Sequence, residues 1–266
     1  MVPPPTRSFS GGERCGAPPG LPGGVYPRTV LRAVLFDVDF TLSRPGPELG
    51  PEAYRNVGAM HGLALDPALY EAARLAAIDD LRAHPELVHD EEIWIRFTED
   101  IVRGMGGDAG GARGCAVDMV HRWEVHENFD LYDDAVPVLA TLRKHGLALG
   151  LISNGQRDLE GFARHHRLDV NVAVGSKSHG RTKPHASIFD VALAGVGANV
   201  HEAVMVGDSH HDDIAGARAL GMRAVLVDRD DQYPDEPERI VSLLELPAVL
   251  GLDGARAGRH VNRGVS

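Results

Sequence analysis

The sequence predicts an α/β protein: a doubly wound parallel sheet, helices on both faces, and a helical unit inserted after the first strand. Three observations carry this. The apolar runs at 33–36, 147–152 and 203–206 are short and uninterrupted, as in strands buried on both faces. From Phe129 onward such runs alternate with helical periodicity, which means a parallel sheet covered on both sides. Residues 48–128 differ: Ala, Leu, Glu and Arg dominate, apolar residues recur at three and four, and no strand pattern interrupts them.

Bulk properties bound the function. The chain has 266 residues, enough for one large domain or for a core with a smaller inserted one. A formal charge of -11 argues against a general affinity for nucleic acid. Lysine occurs only at Lys144, Lys177 and Lys183, which makes each worth placing. Cys15 and Cys115 have no metal-ligand spacing and suggest a reducing, cytoplasmic setting. No apolar run approaches the roughly 18 residues of a membrane span, so no membrane partner is expected. The start of the chain lacks a basic region followed by an apolar core, so no secretory signal is visible.

Taken in order, residues 1–28 are Pro/Gly-rich and are expected to form a disordered arm. The α/β core is expected over 29–46 and 129–250. After the first strand, 43–47 reads as a loop from its Pro and Gly content. The helical unit, 47–128, breaks at His61-Gly62, at His84-Pro85 and in the glycine-rich 104–114, giving four helices. A helix then runs from Asp133-Asp134 to about His145, with Gly146 as its C-cap. Strands follow at 147–152, 170–174, 203–206 and 223–227. Helices fall between them at 157–165, 184–194 and 212–220, and a last helix is expected over 237–250. The polar tail, 251–266, is expected to be loose.

Three strand ends carry polar clusters: Asp37 to Thr41, Ser153-Asn154, and Asp208-Ser209. In a doubly wound sheet, ligands bind at the carboxyl ends of the strands. Lys183-Pro184 opens a helix that reaches the same edge. Two carboxylates from one strand end, a third from another, a hydroxyl and a cation suit phosphoryl transfer. Asp37, the backbone carbonyl of Asp39, and Asp208 form an oxygen set of the kind Mg²⁺ prefers. Lys183 and Ser153 would meet the phosphate oxygens. Asp37 is placed to attack phosphorus, and Asp39 to move the proton to and from the leaving group and water.

Asp37-Val-Asp39-Phe-Thr41-Leu42, Ser153-Asn154-Gly155, Lys183-Pro184 and Gly207-Asp208-Ser209-His-His-Asp212-Asp213 resemble, in order, the four motifs of the haloacid dehalogenase superfamily. The resemblance covers about residues 31–230, and the helical block resembles that family's cap. It implies a Mg²⁺-dependent phosphatase with Asp37 as nucleophile and Asp39 as acid/base. Thr41, Ser153, Asn154 and Lys183 would bind phosphate. Asp37, Asp39 and Asp208 would hold the metal, with Asp212 and Asp213 as supporting acids. Asp213 fits the last acidic position better than Asp212, because Ile214-Ala-Gly-Ala217 follows it. Phe40 departs from the pattern, which most often has glycine there.

Other chemistries of this fold fit less well. A dehalogenase does not need Asp39. A phosphonate hydrolase needs a cap lysine, and none lies between Ser43 and Phe129. Phosphosugar mutation remains a close relative. A non-catalytic phospho-acceptor, like the receivers of bacterial signalling, would be shorter and would carry its aspartate on the third strand. Trp94, Trp123 and Phe97 are read as core of the helical unit, and Arg44, Arg55, Arg74 and Arg96 as solvated cations. His165-His166 is an adjacent pair that makes a poor chelate on a helix, and His210, in the fourth-motif loop within reach of substrate, is read as a surface residue. A small phosphorylated metabolite is the expected partner, while the sequence leaves the oligomeric state open.

Overall fold

The computed structural model describes residues 30–83 and 87–252, with side chains 79–83 excepted. The arm expected at 1–28, the break at His84-Pro85 and nearly all of the tail lie outside these residues. The central sheet has six parallel strands: β1 (Ala33–Phe36), β4 (Ala148–Ser153), β5 (Val172–Gly175), β6 (Ala203–Gly207), β7 (Arg223–Val227) and β8 (Arg239–Ile240). Their spatial order is β5-β4-β1-β6-β7-β8. The chain leaves β1 toward β4 and β5, then returns to β6 on the other side of β1. That reversal opens a crevice at the carboxyl edge, where doubly wound sheets bind ligands.

The period of two along each strand sorts side chains to opposite faces. Val34 and Phe36, with Val204, Val206 and Val225, join one buried cluster; helix α5 (Ala135–Lys144) supplies Val138 and Leu142, and α6 (Leu159–His165) supplies Phe162. Ala33, Leu35 and Met205 join the opposite cluster with Ile188, Phe189 and Ala192 of α8 (Ala186–Val196). Every residue of β1 is fully buried, which explains its unbroken apolar composition.

Two segments correct the sequence reading. Residues Ser43–Pro45 are not loop but a strand, β2, paired antiparallel with β3 (Phe129–Leu131). The chain leaves and re-enters the core through this two-stranded ribbon. Pro45 stands at its end, a position where a missing N–H costs little, and that hid the strand. The expected helix over 237–250 is instead the edge strand β8, a short 3₁₀ turn and the four-residue α10 (Leu246–Val249). Capping by Ser242, whose side chain accepts from the amide of Leu244, starts the turn after the strand.

Between β2 and β3 lie α1 (Pro51–Met60), α2 (Tyr70–Ala83), α3 (Glu91–Gly104) and α4 (Ala112–Trp123). They bury a cluster of their own, with Tyr54, Val57, Ile101, Val102, Met105 and Met119 at its centre. Asp90 caps α3 by accepting from the amide of Glu92 at 3.0 Å. The connection before α3 lies on the core: the amide of His89 donates to the carbonyl of Gly180 at 3.2 Å, and that of Thr182 to Leu87 at 3.1 Å. Lys177 also pairs with Glu124.

Candidate active site

The three polar strand ends meet, because β4, β1 and β6 are neighbours in the sheet. Asp37 follows β1, Ser153 ends β4, and Asp208 follows Gly207 at the end of β6. Lys183 arrives from the connection before α8 and is 4% exposed. Its Nζ donates to Asp37 Oδ1 at 2.5 Å, to Asp213 Oδ1 at 2.7 Å and to the carbonyl of Ile152 at 3.3 Å. All three donors of the ammonium are therefore used.

Asp213 reaches this cluster through a wide π-helical turn, His210–Ala215, continued by α9 (Gly216–Ala219). Ser209 holds the turn: its hydroxyl accepts from the amide of Asp212 at 3.1 Å, and its own amide donates to Asp213 Oδ2 at 3.0 Å. Gly207 makes the approach possible, since a Cβ there would collide with the Asp213 carboxylate. Asp212 stands outside the cluster, on the cavity wall, and pairs with His211 at 2.8 Å. Of the two neighbouring acids, Asp213 is the one at the cluster.

Asp37, Asp208 and Asp213 each offer a carboxylate oxygen, all within 4.8 Å of one another. Three carboxylates face one ammonium, so the cluster holds two negative charges in excess when ionised. Burial pushes the Asp37 carboxyl above its ordinary range; Lys183 opposes this and Asp39 adds to it. Burial, then Asp37 and Asp213, push Asp208 well up. Asp213 is pushed up to about 7, chiefly by burial and against the pull of Lys183. Burial alone would lower the Lys183 ammonium, but Asp213 and Asp37 outweigh it and hold it above the usual lysine value. Excess buried carboxylate of this kind, all hard oxygen, fits a divalent cation.

The remaining sequence candidates take other positions. The Asp39 carboxylate turns from the acidic cluster: Oδ1 is paired with Arg157, and Oδ2 accepts from Ser153 at 3.3 Å. Any role for Asp39 as a metal ligand therefore falls to its backbone carbonyl. Thr41 donates to Asp208 Oδ1 at 3.2 Å, which ties the loop after β1 to β6. Asn154, expected at the phosphate, has its side chain on the loop that carries Lys183. Its amide spans Lys183, accepting from the Lys183 amide at 2.8 Å and donating to its carbonyl at 3.1 Å, so it positions that lysine.

Sequence reasoning missed Arg157. Its side chain is 1% exposed and lies over the rings of Phe129 and Phe162, with centroids 3.8 and 4.7 Å from the guanidinium carbon. Nothing in the sequence separated it from the many other arginines. It also missed Arg229, which bonds Asp134 with two 2.9 Å contacts and donates to the carbonyl of Thr41 at 2.9 Å. Phe40 has φ of 62°, the left-handed region that glycine adopts freely.

Over the cluster lies a cavity of about 270 Å³, walled by the sheet edge below and by α2, α3 and α4 above. Trp94, Phe97 and Trp123 line it and are half-buried; Phe97 packs on the helical unit's core and Trp123 on the sheet's, as expected of core residues, while each also faces the cavity and Trp94 joins neither cluster. Ile93, Trp94, Phe97 and Ile101 of α3 all line the cavity, so part of that helix's apolar face is turned to it. Arg74 also lines the cavity and pairs with Glu71 at 2.5 Å, while Arg55 pairs with Glu52 at 2.6 Å.

A reversing parallel sheet with a lysine-braced acidic cluster at its carboxyl edge defines an α/β protein with a ligand site under a helical roof. The model of the haloacid dehalogenase-like hydrolases matches residues 31–221, and the chain belongs to that family. It is 37% identical over 148 residues to a phosphoserine phosphatase of Thermus thermophilus, spanning 53% of this chain and 58% of that relative. It is 30% identical over 240 residues to a glyceraldehyde 3-phosphate phosphatase of Methanopyrus kandleri, covering 84% of this chain and 100% of the relative. The crystal structure of a phosphatase of the same family from Thermococcus onnurineus superposes with a TM-score of 0.59 at 25% identity, over 83% of this chain and 98% of that one.

Proposed function

We propose that the protein is a Mg²⁺-dependent phosphatase that cleaves a phosphate monoester of a small metabolite through an aspartyl-phosphate on Asp37. The observation that carries this is the cluster of Asp37, Asp208 and Asp213 around Lys183, which itself lines the cavity. The relatives named as phosphatases of small phosphorylated compounds support it. Among the described residues no helix is long and apolar enough to cross a membrane. A cytoplasmic location follows from the cysteine usage.

Asp37 and Asp208, with the backbone carbonyl of Asp39, would hold Mg²⁺, and Asp213 would add charge behind them. When bound, the ion supplies positive charge to the phosphate oxygens. Lys183 supplies the protein's own cation there and keeps Asp37 ionised for attack on phosphorus. Ser153 donates to a phosphate oxygen, and Thr41 braces the loop that carries the nucleophile. In its protonated form Asp39 would give a proton to the departing alkoxide, and as the carboxylate it would then take one back from the water that attacks the acyl phosphate. In the resting arrangement Arg157 and Ser153 hold its carboxylate beside the cavity.

In this reading residues 47–128 are a cap and the β2–β3 ribbon is its hinge. The roof excludes water from the reacting phosphate and selects the alcohol. The test is hydrolysis of a generic phosphomonoester with and without Mg²⁺, beside Asp37→Asn. The reading expects turnover that needs Mg²⁺ and disappears in the variant. Turnover equal in the two proteins would remove it.

A further inference from the structure

The roof of the cavity says what kind of alcohol the site releases. We propose that the substrate's leaving group is uncharged and apolar, an alcohol bearing an aromatic ring or a branched chain. The inference rests on the phosphatase reading for the position of the phosphate, and on the roof for the rest of the substrate.

Four observations converge. Away from Lys183 the cavity wall is apolar and largely aromatic: Phe40, Tyr70, Ile93, Trp94, Phe97 and Val120. Second, among the described residues of the wall no cation is left to meet another anion: His211 is paired with Asp212 at 2.8 Å. Among the described residues Arg74 is the one arginine on the wall, and Glu71 takes it at two points, 3.2 and 2.5 Å. Asp90 and Asp212 also face the space, so a carboxylate or second phosphate would meet repulsion. Third, a cavity of about 270 Å³ is small but sufficient. An apolar cavity of roughly 150 Å³ holds benzene, which leaves space here for a phosphate beside one ring.

The fourth observation is Phe40. A side chain other than glycine is strained in the left-handed region that Phe40 occupies. Such strain persists where the surroundings make use of it. Here it sends an aromatic ring from the loop between Asp39 and Thr41 into the cavity wall, under the guanidinium of Arg74 at 5.7 Å from the centroid. The ring covers the step from the phosphate site to the roof, where a glycine would leave bare backbone and water. An alcohol rich in hydroxyls would lose its hydration in this chamber and find few partners.

The experiment compares alkyl phosphates in which the hydroxylated and charged alcohols are the better leaving groups, so that leaving-group chemistry works against the expected order. With Mg²⁺ present, kcat/KM for 2-phenylethyl phosphate and 3-methylbutyl phosphate should exceed that for glycerol 3-phosphate and phosphoserine by about tenfold or more. Trp94→Ala should collapse that ratio. A preference for the hydroxylated or charged esters, or none, would overturn the apolar chamber and leave the phosphatase reading standing. Absence of turnover on every ester would instead overturn the phosphatase reading. Calorimetric binding of 2-phenylethylphosphonate against 3-phosphonopropionate then decides the chamber by itself: tighter binding of the aryl compound upholds it, and equal or weaker binding rejects it.

Discussion

The guanidinium of Arg157 is paired with the carboxylate of Asp39 while lying over the ring of Phe129, 3.8 Å from its centroid. One side chain thus joins the loop after β1, the start of α6 and the strand that closes the helical unit. Arg157→Gln is expected to slow turnover by about tenfold, since misplacing a proton donor forfeits part of its 10²–10⁴ contribution. In an Asp39→Asn background the same change should add little, because the two act as a unit. Steady-state kinetics on the four proteins checks this, and fully additive losses would contradict it.

Lys183 compensates two buried carboxylates at once. Lys183→Met should destabilise the metal-free protein by about 3–5 kcal/mol, the cost of leaving a buried charge without its partner. Urea unfolding with a chelator present measures it. Mg²⁺ should recover part of the loss, as the cation replaces some of the missing charge.

The acidic cluster sets a pH dependence. The Asp213 carboxyl titrates near 7 in the folded, metal-free chain, against an ordinary 3.8. A raised carboxyl stabilises the fold fully below its unfolded value, and that stability is lost as pH rises through its folded value. The metal-free protein should therefore lose thermal stability from about pH 4 to about pH 7 on account of this group. Asp213→Asn should flatten the trend. Mg²⁺ should raise the Tm more above pH 7 than near pH 5, where protons compete for the same oxygens. A metal-free Tm that climbs steadily over that window would contradict the raised carboxyl.

Phe40→Gly removes the left-handed strain and the ring together. Relief of about 1–2 kcal/mol is offset by lost burial and by the flexibility of glycine, so stability should change by less than about 1 kcal/mol. Selectivity between alcohols should fall much further than Tm. A variant several kcal/mol less stable would show that the ring is core.

The core strands were legible because burial on both faces leaves an unbroken apolar run, as in β1 and β6, and because each run ends at once in Asp37 or Asp208. The ribbon was not, since three residues ending in Pro45 carry no alternation. Nor was β8, a two-residue edge strand inside a stretch of helical composition. Asp213 was favoured over Asp212 by its place in the motif, and the wide turn with a bare Gly207 shows the physical reason. The brace that Asn154 gives Lys183 was not legible, because a side-chain amide that faces a ligand and one that holds a lysine backbone have the same sequence. Arg157 and Arg229 act through contacts across more than 90 positions, which no local pattern records.

The most direct test is to trap the covalent intermediate. Enzyme mixed with a turned-over phosphomonoester and Mg²⁺ is quenched in acid, digested, and read by mass spectrometry across the peptide containing Asp37 and Asp39. The phosphatase reading predicts phosphate on Asp37 in the native chain and none in Asp37→Asn. In Asp39→Asn it should persist longer, since hydrolysis lacks its base. Phosphate on another residue, or rapid turnover with no acid-stable adduct in any of the three, would contradict it.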